Sequence, residues 1–267
     1  VYFGVPRNRR ESTDSHPKHL FEVVMNVIKT LNGFSGSQVL LCQDSDGIPF
    51  VRKTNNVSRN YERLTKLKDY PVPKILHYDG NVLDMEYIPG IDMKTYLTRK
   101  SPDALAGFLL HTLERFSTNS KEIDYVSIYH KKLEGIDFTT LPFTKQELVD
   151  KLPESLPQSE YFGDLTLDNI IYSKGQFYLI DGIESEYNSY IFDIAKLNQD
   201  LKCGWFTRNT SLNFTVKLNY ISECLHSFQH ADNLYLTILM LLRVYPYAHP
   251  KSREKKFIES RIQKLWK

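Results

Sequence analysis

Three polar residues and their spacing define the chemistry open to this chain of 267 residues. Asp164 and Asn169 stand five positions apart in a polar loop within Tyr161 to Tyr172, and Asp181 ends the next strand, seventeen positions after Asp164. Two carboxylates and an amide brought together on one hairpin suit a Mg²⁺-nucleotide site, because Mg²⁺ prefers oxygen ligands and keeps substrate phosphates in its shell. A carboxylate left over can accept the proton of an attacking hydroxyl. Phosphoryl transfer asks little more of a protein than positioning, a base and charge neutralisation. A Gly-Asp pair alone marks a turn and Asn-Ile-Ile alone a strand start, so the reading rests on the three spacings together.

The elements that must position these residues change character along the chain. Residues 1–90 read mostly as strands. Glu22 to Leu31 leads into a loop of small residues, Asn32 to Ser37. Gln38 to Cys42 and Ile48 to Arg52 then flank Asp44-Ser45-Asp46-Gly47, whose Asp-Gly pair signals a hairpin. Ser58 to Leu67 has helical character and is stopped by Pro71 and Pro73, and Lys74 to Tyr78 and Val82 to Tyr87 read as two more strands.

Beyond Pro89-Gly90 the pattern turns helical. Ser101-Pro102-Asp103 predicts a helix start with Ser as cap and Pro at the first helical position. Leu105, Phe108, Leu109, Leu113 and Phe116 follow as one apolar stripe. Thr144 and Glu147 have the spacing of a capping box. Ile191 to Leu201, Asn213 to Ser227, Ala231 to Tyr245 and Ser252 to Lys267 predict four further helices. Asn169 to Tyr172 and Gln176 to Ile180 pair as a short β insertion across Ser173-Lys174-Gly175. The expected architecture is α+β: a small β-rich half, a connection at 86–90 and a larger helical half, with a ligand in the cleft between them.

The G-D-x-x-x-x-N element at Gly163 to Asn169 and the Ile180-Asp181-Gly182 that follows resemble the catalytic and metal-binding loops of the aminoglycoside phosphotransferase and choline kinase family. Leu83 to Gly90 is similar to that family's hinge, and Phe192-Asp193-Ile194-Ala195-Lys196-Leu197 to the helix start after its metal-binding Asp. The resemblance covers most of the chain. It implies a protein-kinase-like fold of two lobes, residues 1–90 binding nucleotide and 91–267 carrying catalysis and the acceptor. It further implies ATP and Mg²⁺ as cofactors, Asp164 as catalytic base, Asn169 and Asp181 as Mg²⁺ ligands, and Asp193 as a support for the loop. In the β-rich half, Gly33, Ser35, Gly36 and Ser37 stand where the phosphate-covering loop belongs, and such a loop brings backbone N–H groups to phosphate oxygens. Lys53 matches the phosphate-contacting lysine, Glu62 is the candidate for its ion-pair partner, and Glu86 and Ile88 offer main-chain groups to adenine.

Three departures shape the expectation. Phe162 stands where the family usually has His before Gly-Asp, so a hydrogen bond bracing the loop is missing or replaced by packing. Only twelve positions separate Asp181 from Asp193, with no Ala-Pro-Glu after them, which points to a small-molecule acceptor rather than a protein. The loop after the first strand also lacks G-x-G-x-x-G. The implied function is transfer of the ATP γ-phosphate to a hydroxyl of a sugar, amino alcohol or aminoglycoside-like compound. The alternative is a catalytically silent nucleotide-binding scaffold on the same fold.

Composition excludes other classes. Lys plus Arg number 34 and Asp plus Glu 32, a net charge of +2 that makes no electrostatic case for nucleic acid. Between Ser101 and Tyr161 ten acids face six bases, a modest excess for a polycationic acceptor. The apolar run from Leu234 to Val244 is too short for a membrane span and reads as a buried helix, in which Arg243 needs a partner. Cys42, Cys203 and Cys224 are widely spaced and form no C-x-x-C, which predicts no disulfide or zinc framework and a reducing, cytoplasmic setting. The first residues lack a secretory apolar stretch, and the missing initial Met leaves room for an upstream domain or partner. No G-x-x-x-x-G-K-[ST], H-E-x-x-H or G-x-S-x-G occurs.

Overall fold

A computed structural model describes residues 25–31 and 37–267. An antiparallel sheet comes first. Its strands are β1 (Asn26–Leu31), β2 (Gln38–Gln43), β3 (Pro49–Thr54), β4 (Ile75–Tyr78) and β5 (Val82–Glu86), in the order β1-β2-β3-β5-β4. The β2–β3 turn closes on the Asp44 carboxylate, which accepts the main-chain N–H groups of Asp46 and Ile48 at 3.0 and 2.8 Å. The β4–β5 turn repeats the device with Asp79, which accepts from Asn81 and Val82. Such Asx turns account for two tight reversals that need no help from distant residues. Helix α1 (Ser58–Lys66) packs over the sheet on Leu64, with Val57, Leu83 and Met85 completing a small apolar cluster. Its buried face also carries Asn60 and Arg63. Polar groups are buried at such cost only when partnered, so this face marks the side turned to the rest of the molecule.

After β5 the chain enters a mainly helical part. Strand β6 (Ile91–Asp92) leads into α2 (Met93–Arg99), with Asp92 capping the helix by accepting from the Thr95 N–H at 2.7 Å. There follow α3 (Asp103–Ser117), β7 (Lys121–Asp124), α4 (Val126–Lys132), α5 (Lys145–Val149) and β8 (Ser155–Gln158). The hairpin of β9 (Ile170–Ser173) and β10 (Gln176–Leu179) joins β6 in a second sheet, and β7 pairs with β8 in a third. Helices α6 (Tyr190–Leu201), α7 (Thr215–Cys224), α8 (Leu234–Val244) and α9 (Arg253–Leu265) complete the chain. Leu105, Leu109, Leu113 and Phe116 of α3 are buried as their spacing predicts, and they share one core with α6 and α8.

Two expectations about caps resolve differently. Thr144 and Glu147 form the full reciprocal box at the start of α5. At α3, however, Pro102 rather than Ser101 is the N-cap, and the Ser101 hydroxyl donates to the Asp103 carboxylate instead of a main-chain N–H. Elements α2, α4, β6, β7 and β8 have no counterpart among the predicted ones. They are two to seven residues long, too short to carry a periodic signal. Among the described residues the three cysteines are free, and no helix is long and apolar enough to cross a membrane.

Candidate active site

The loop from Tyr161 to Asn169 is held from beneath by one face of α6. Asp193 Oδ2 accepts the Phe162 N–H at 2.5 Å, and its Oδ1 accepts the Gly163 N–H at 2.9 Å. One turn later Lys196 Nζ lies 3.1 Å from Asp164 Oδ1. A further turn on, Asp200 Oδ2 accepts the Leu167 N–H at 2.7 Å. Positions 193, 196 and 200 share a helix face by their i, i+3, i+7 spacing, and all twelve residues of α6 are buried. The helix therefore meets the loop through three charged side chains in succession, each on a different part of it.

Two glycines let the loop take this path. Gly163 has φ +89°, and a Cβ there would stand 2.0 Å from the Ile183 carbonyl oxygen. Gly182 lies against the Phe162 ring, 2.8 Å from where its own Cβ would be. Phe162 is fully buried in that contact, so packing on Gly182 and the Asp193 hydrogen bond to its main chain brace the loop with no histidine at this position.

Asp164, Asn169 and Asp181 converge. The Asn169 amide nitrogen donates to the Asp164 carbonyl at 2.8 Å and to its carboxylate Oδ2 at 3.1 Å. The Ile180 N–H donates to the Asn169 carbonyl at 2.9 Å, which sets Asp181 beside Asn169. Asp181 adopts φ +67°, an uncommon conformation for a residue other than glycine. Its Oδ1 accepts from Lys53 Nζ at 2.5 Å and from the Asn60 amide at 2.9 Å. Lys53 reaches there from the penultimate position of β3, almost wholly buried.

The lysine's partner corrects one expectation. Glu62 is exposed on α1 and does not pair with Lys53. Nine positions after Lys53 leave room for barely one helical turn, and the α1 residues turned inward are 60, 63 and 64, not 62. Asn60 takes the inward place and bridges Asp181 and the Gly182 carbonyl, at 2.9 Å each. Arg63, buried to 1% exposure, pairs with Glu160 and Glu184 and stacks over the Tyr161 ring. Together with a main-chain bond from Glu184 to Arg59, these contacts fasten α1 to the segment after Asp181.

Other predicted site residues fall as follows. Ser37 stands before β2 and its hydroxyl donates to the Asn55 carbonyl; Gly33, Ser35 and Gly36 lie outside the described residues. Glu86 ends β5, its N–H bonded to the Lys74 carbonyl. Ile88 is buried, and among the described residues its main-chain N–H and C=O carry no hydrogen bond. Arg243 of α8 finds its partner at the loop: both terminal nitrogens approach the Gly163 carbonyl, at 3.3 and 3.4 Å.

Electrostatics separates the carboxylates. Burial alone would raise the Asp164 carboxyl, but the Lys196 ammonium, the Arg243 guanidinium and the Asn169 amide outweigh it and hold the group below the usual carboxylate range. At Asp181 burial prevails over Lys53 and pushes the carboxyl up. Burial likewise lifts Asp193 to about 6 and Asp200 to about 7, against the main-chain hydrogen bonds each accepts. A carboxylate ionised at neutral pH is what proton acceptance requires of Asp164.

Among the described residues no group of three or more His, Cys, Asp or Glu is placed to hold a metal ion. The Asn169 and Asp181 pair fits Mg²⁺ on different grounds. Asn169 turns its nitrogen to Asp164, which leaves its amide oxygen, and Lys53 and Asn60 engage one Asp181 oxygen, which leaves the other. Two hard oxygen donors suit an ion that draws its remaining ligands from phosphates and water.

No family model matches the sequence, and no curated protein matches it. Solved structures do. A choline/ethanolamine kinase family protein from Mesorhizobium loti aligns at a TM-score of 0.57 and 14% identity, over 89% of this chain and 86% of that one. An amicoumacin kinase in complex with AMP-PNP, Ca²⁺ and Ami aligns at 0.58 and 14%, over 88% and 86%. A glucosamine kinase in complex with glucosamine, ADP and inorganic phosphate aligns at 0.52 and 9%, over 90% and 94%. The fold is thus the protein-kinase-like one that these small-molecule kinases share.

The motif residues and Lys53 were legible in the sequence; Asn60, Lys196 and Asp200 were not singled out. The last two had a signal, because charged residues at 193, 196 and 200 recur at the spacing of one helix face.

Proposed function

We propose that the chain is an ATP- and Mg²⁺-dependent kinase that transfers the γ-phosphate to a hydroxyl of a small metabolite. The observation that carries this reading is the Asn169 side chain bonded to the Asp164 carboxylate while its main-chain carbonyl is tied to Ile180, the residue before Asp181. A base and two metal ligands in one unit, with Lys53 reaching it from the sheet, are what phosphoryl transfer needs.

In this reading Asp164 orients the acceptor hydroxyl and takes its proton. Asn169 and Asp181 hold Mg²⁺, which supplies charge neutralisation at the nucleotide phosphates. Lys53 steadies those phosphates, and the main chain at Glu86 and Ile88 receives adenine. Residues 1–90 and 91–267 act as two lobes around the cleft, joined at 86–90, in a cytoplasmic setting. Asp164 already has Lys196 and Arg243 beside it, which weakens its pull on a polycation and favours a sugar over an aminoglycoside-like acceptor. The silent-scaffold alternative rests on Phe162, and the bracing of the loop by Asp193 and Gly182 supports the kinase reading beside it.

The test is ADP and phosphorylated-product formation by the wild type and Asp164→Asn across sugars and amino alcohols. The reading expects product from at least one acceptor with the wild type and a loss of at least about 10²-fold in the variant. Nucleotide binding without product would turn the conclusion to a scaffold, and absence of Mg²⁺-dependent nucleotide binding would sink both.

A further inference from the structure

The polar face of α6 holds more than loop support. Asp193 and Asp200 accept main-chain N–H groups on either side of the base, as structural carboxylates do. The side chain of Lys196, between them, makes no hydrogen bond to main chain among the described residues. Its ammonium is aimed at the base itself, 3.1 Å from Asp164 Oδ1, with the side chain 8% exposed. Burying an ammonium costs several kcal/mol unless it is well paired, and packing needs only an apolar residue at this place in a fully buried helix. The charge therefore has a purpose that the fold alone does not supply.

Geometry indicates what that purpose is. Lys196 engages Oδ1 of Asp164 and Asn169 engages Oδ2. The two contacts come from different elements, one from α6 and one from the loop's own end, and together they fix the carboxylate about its terminal bond. The helix that carries Lys196 is itself locked to the loop one turn before and one turn after. The ammonium is thus held against the carboxylate by hydrogen bonds it does not make.

We propose that Lys196 is the positioning residue of the base: it holds the Asp164 carboxylate in the rotation that presents it to the acceptor hydroxyl. The inference rests on the kinase reading above. The step it serves can be followed with water as acceptor, which needs no knowledge of the natural one. The water oxygen bonds to the γ-phosphorus, the bond from that phosphorus to the bridging oxygen of ADP breaks, and the water proton passes to Asp164, giving ADP and inorganic phosphate. A base displaced by about an ångström costs a reaction of this kind on the order of 10²-fold.

The experiment measures Mg²⁺-dependent ADP formation from ATP by the full chain, as wild type, Lys196→Met, Lys196→Arg, Asp164→Asn and the double variant. Lys196→Met is expected to lower kcat by about 10²-fold with the KM for ATP within about twofold, and Lys196→Arg to recover at least a tenth of the wild-type rate. In the Asp164→Asn background, Lys196→Met should have little further effect, because the group it positions is gone. The double variant restores charge balance at the site, so it keeps the comparison available if Lys196→Met alone folds poorly. A wild-type kcat in folded Lys196→Met overturns the proposal, as do parallel changes in KM and melting temperature that arginine does not rescue, or additive effects in the cycle. A wild type whose ADP formation is unaffected by Asp164→Asn instead overturns the kinase reading on which the proposal stands.

Discussion

Asp200→Asn isolates the cost of an ion buried beneath the loop. Asp200 is fully buried, its Oδ2 accepts the Leu167 N–H, and its Oδ1 has no hydrogen-bond partner among the described residues. Burial is the leading reason its carboxyl titrates at about 7 rather than 3.8, and the nearby Asp168 adds to it. Below the unfolded value both states are protonated. Between the two values the native state holds a proton that the unfolded state has released, so stability falls as pH rises, and the fall is complete once pH passes the folded value. A tenfold change in an ionisation constant is worth about 1.4 kcal/mol, and the gap from 3.8 to about 7 amounts to ~4 kcal/mol. Asparagine keeps the shape and the acceptor for Leu167 without the charge. The stability of Asp200→Asn relative to wild type should therefore rise by ~4 kcal/mol between pH 4 and pH 8. Asp193, raised in the same direction to about 6, is present in both proteins and cancels. Guanidinium denaturation at a series of pH values, followed by the fluorescence of Trp205 and Trp266, measures the difference. A gap between variant and wild type that stays constant from pH 4 to pH 8 would refute the reasoning.

Other expectations are shorter to state. Gly163→Ala puts a Cβ 2.0 Å from the Ile183 carbonyl at φ +89°, and the left-handed backbone alone costs about 1–2 kcal/mol; a destabilisation above ~2 kcal/mol in denaturant melts is the expected result, and a neutral outcome would show the 162–183 contact to be loose. Lys53→Met removes the cation from Asp181 and should weaken ADP binding in titration calorimetry by at least about tenfold, with little change in secondary structure by circular dichroism. Thr144→Ala breaks the capping box of α5 and should lower stability by about 1 kcal/mol while leaving nucleotide binding unchanged.

What was readable in the sequence, and what was not, divides by range. The Asp-Gly hairpin, the Thr144 and Glu147 box, the α3 stripe and the G-D-x-x-x-x-N loop are local signals whose physics acts within a few residues. The structure shows the elements they predict. Short strands such as β6 and β7 owe their form to partners far along the chain, and nothing in two to four residues announces such a partner. Glu62 shows the same limit from the other side. Its charge suits Lys53, but the phase of α1 turns Asn60 inward and leaves Glu62 in solvent.

By itself the sequence determined that two carboxylates and an amide stand near one another, since Asp164, Asn169 and Asp181 lie within one loop and hairpin and chain connectivity alone keeps them close. Tertiary structure decided their partners. Lys53 is 128 positions from Asp181, and Asp193, Lys196 and Asp200 meet the loop only because α6 packs beneath it with one face toward it. A side chain's contacts across such separations depend on helix phase and on what it costs to bury a charge unpaired. Those are properties of the packed molecule, and they settle which of its many charged residues stand at the site.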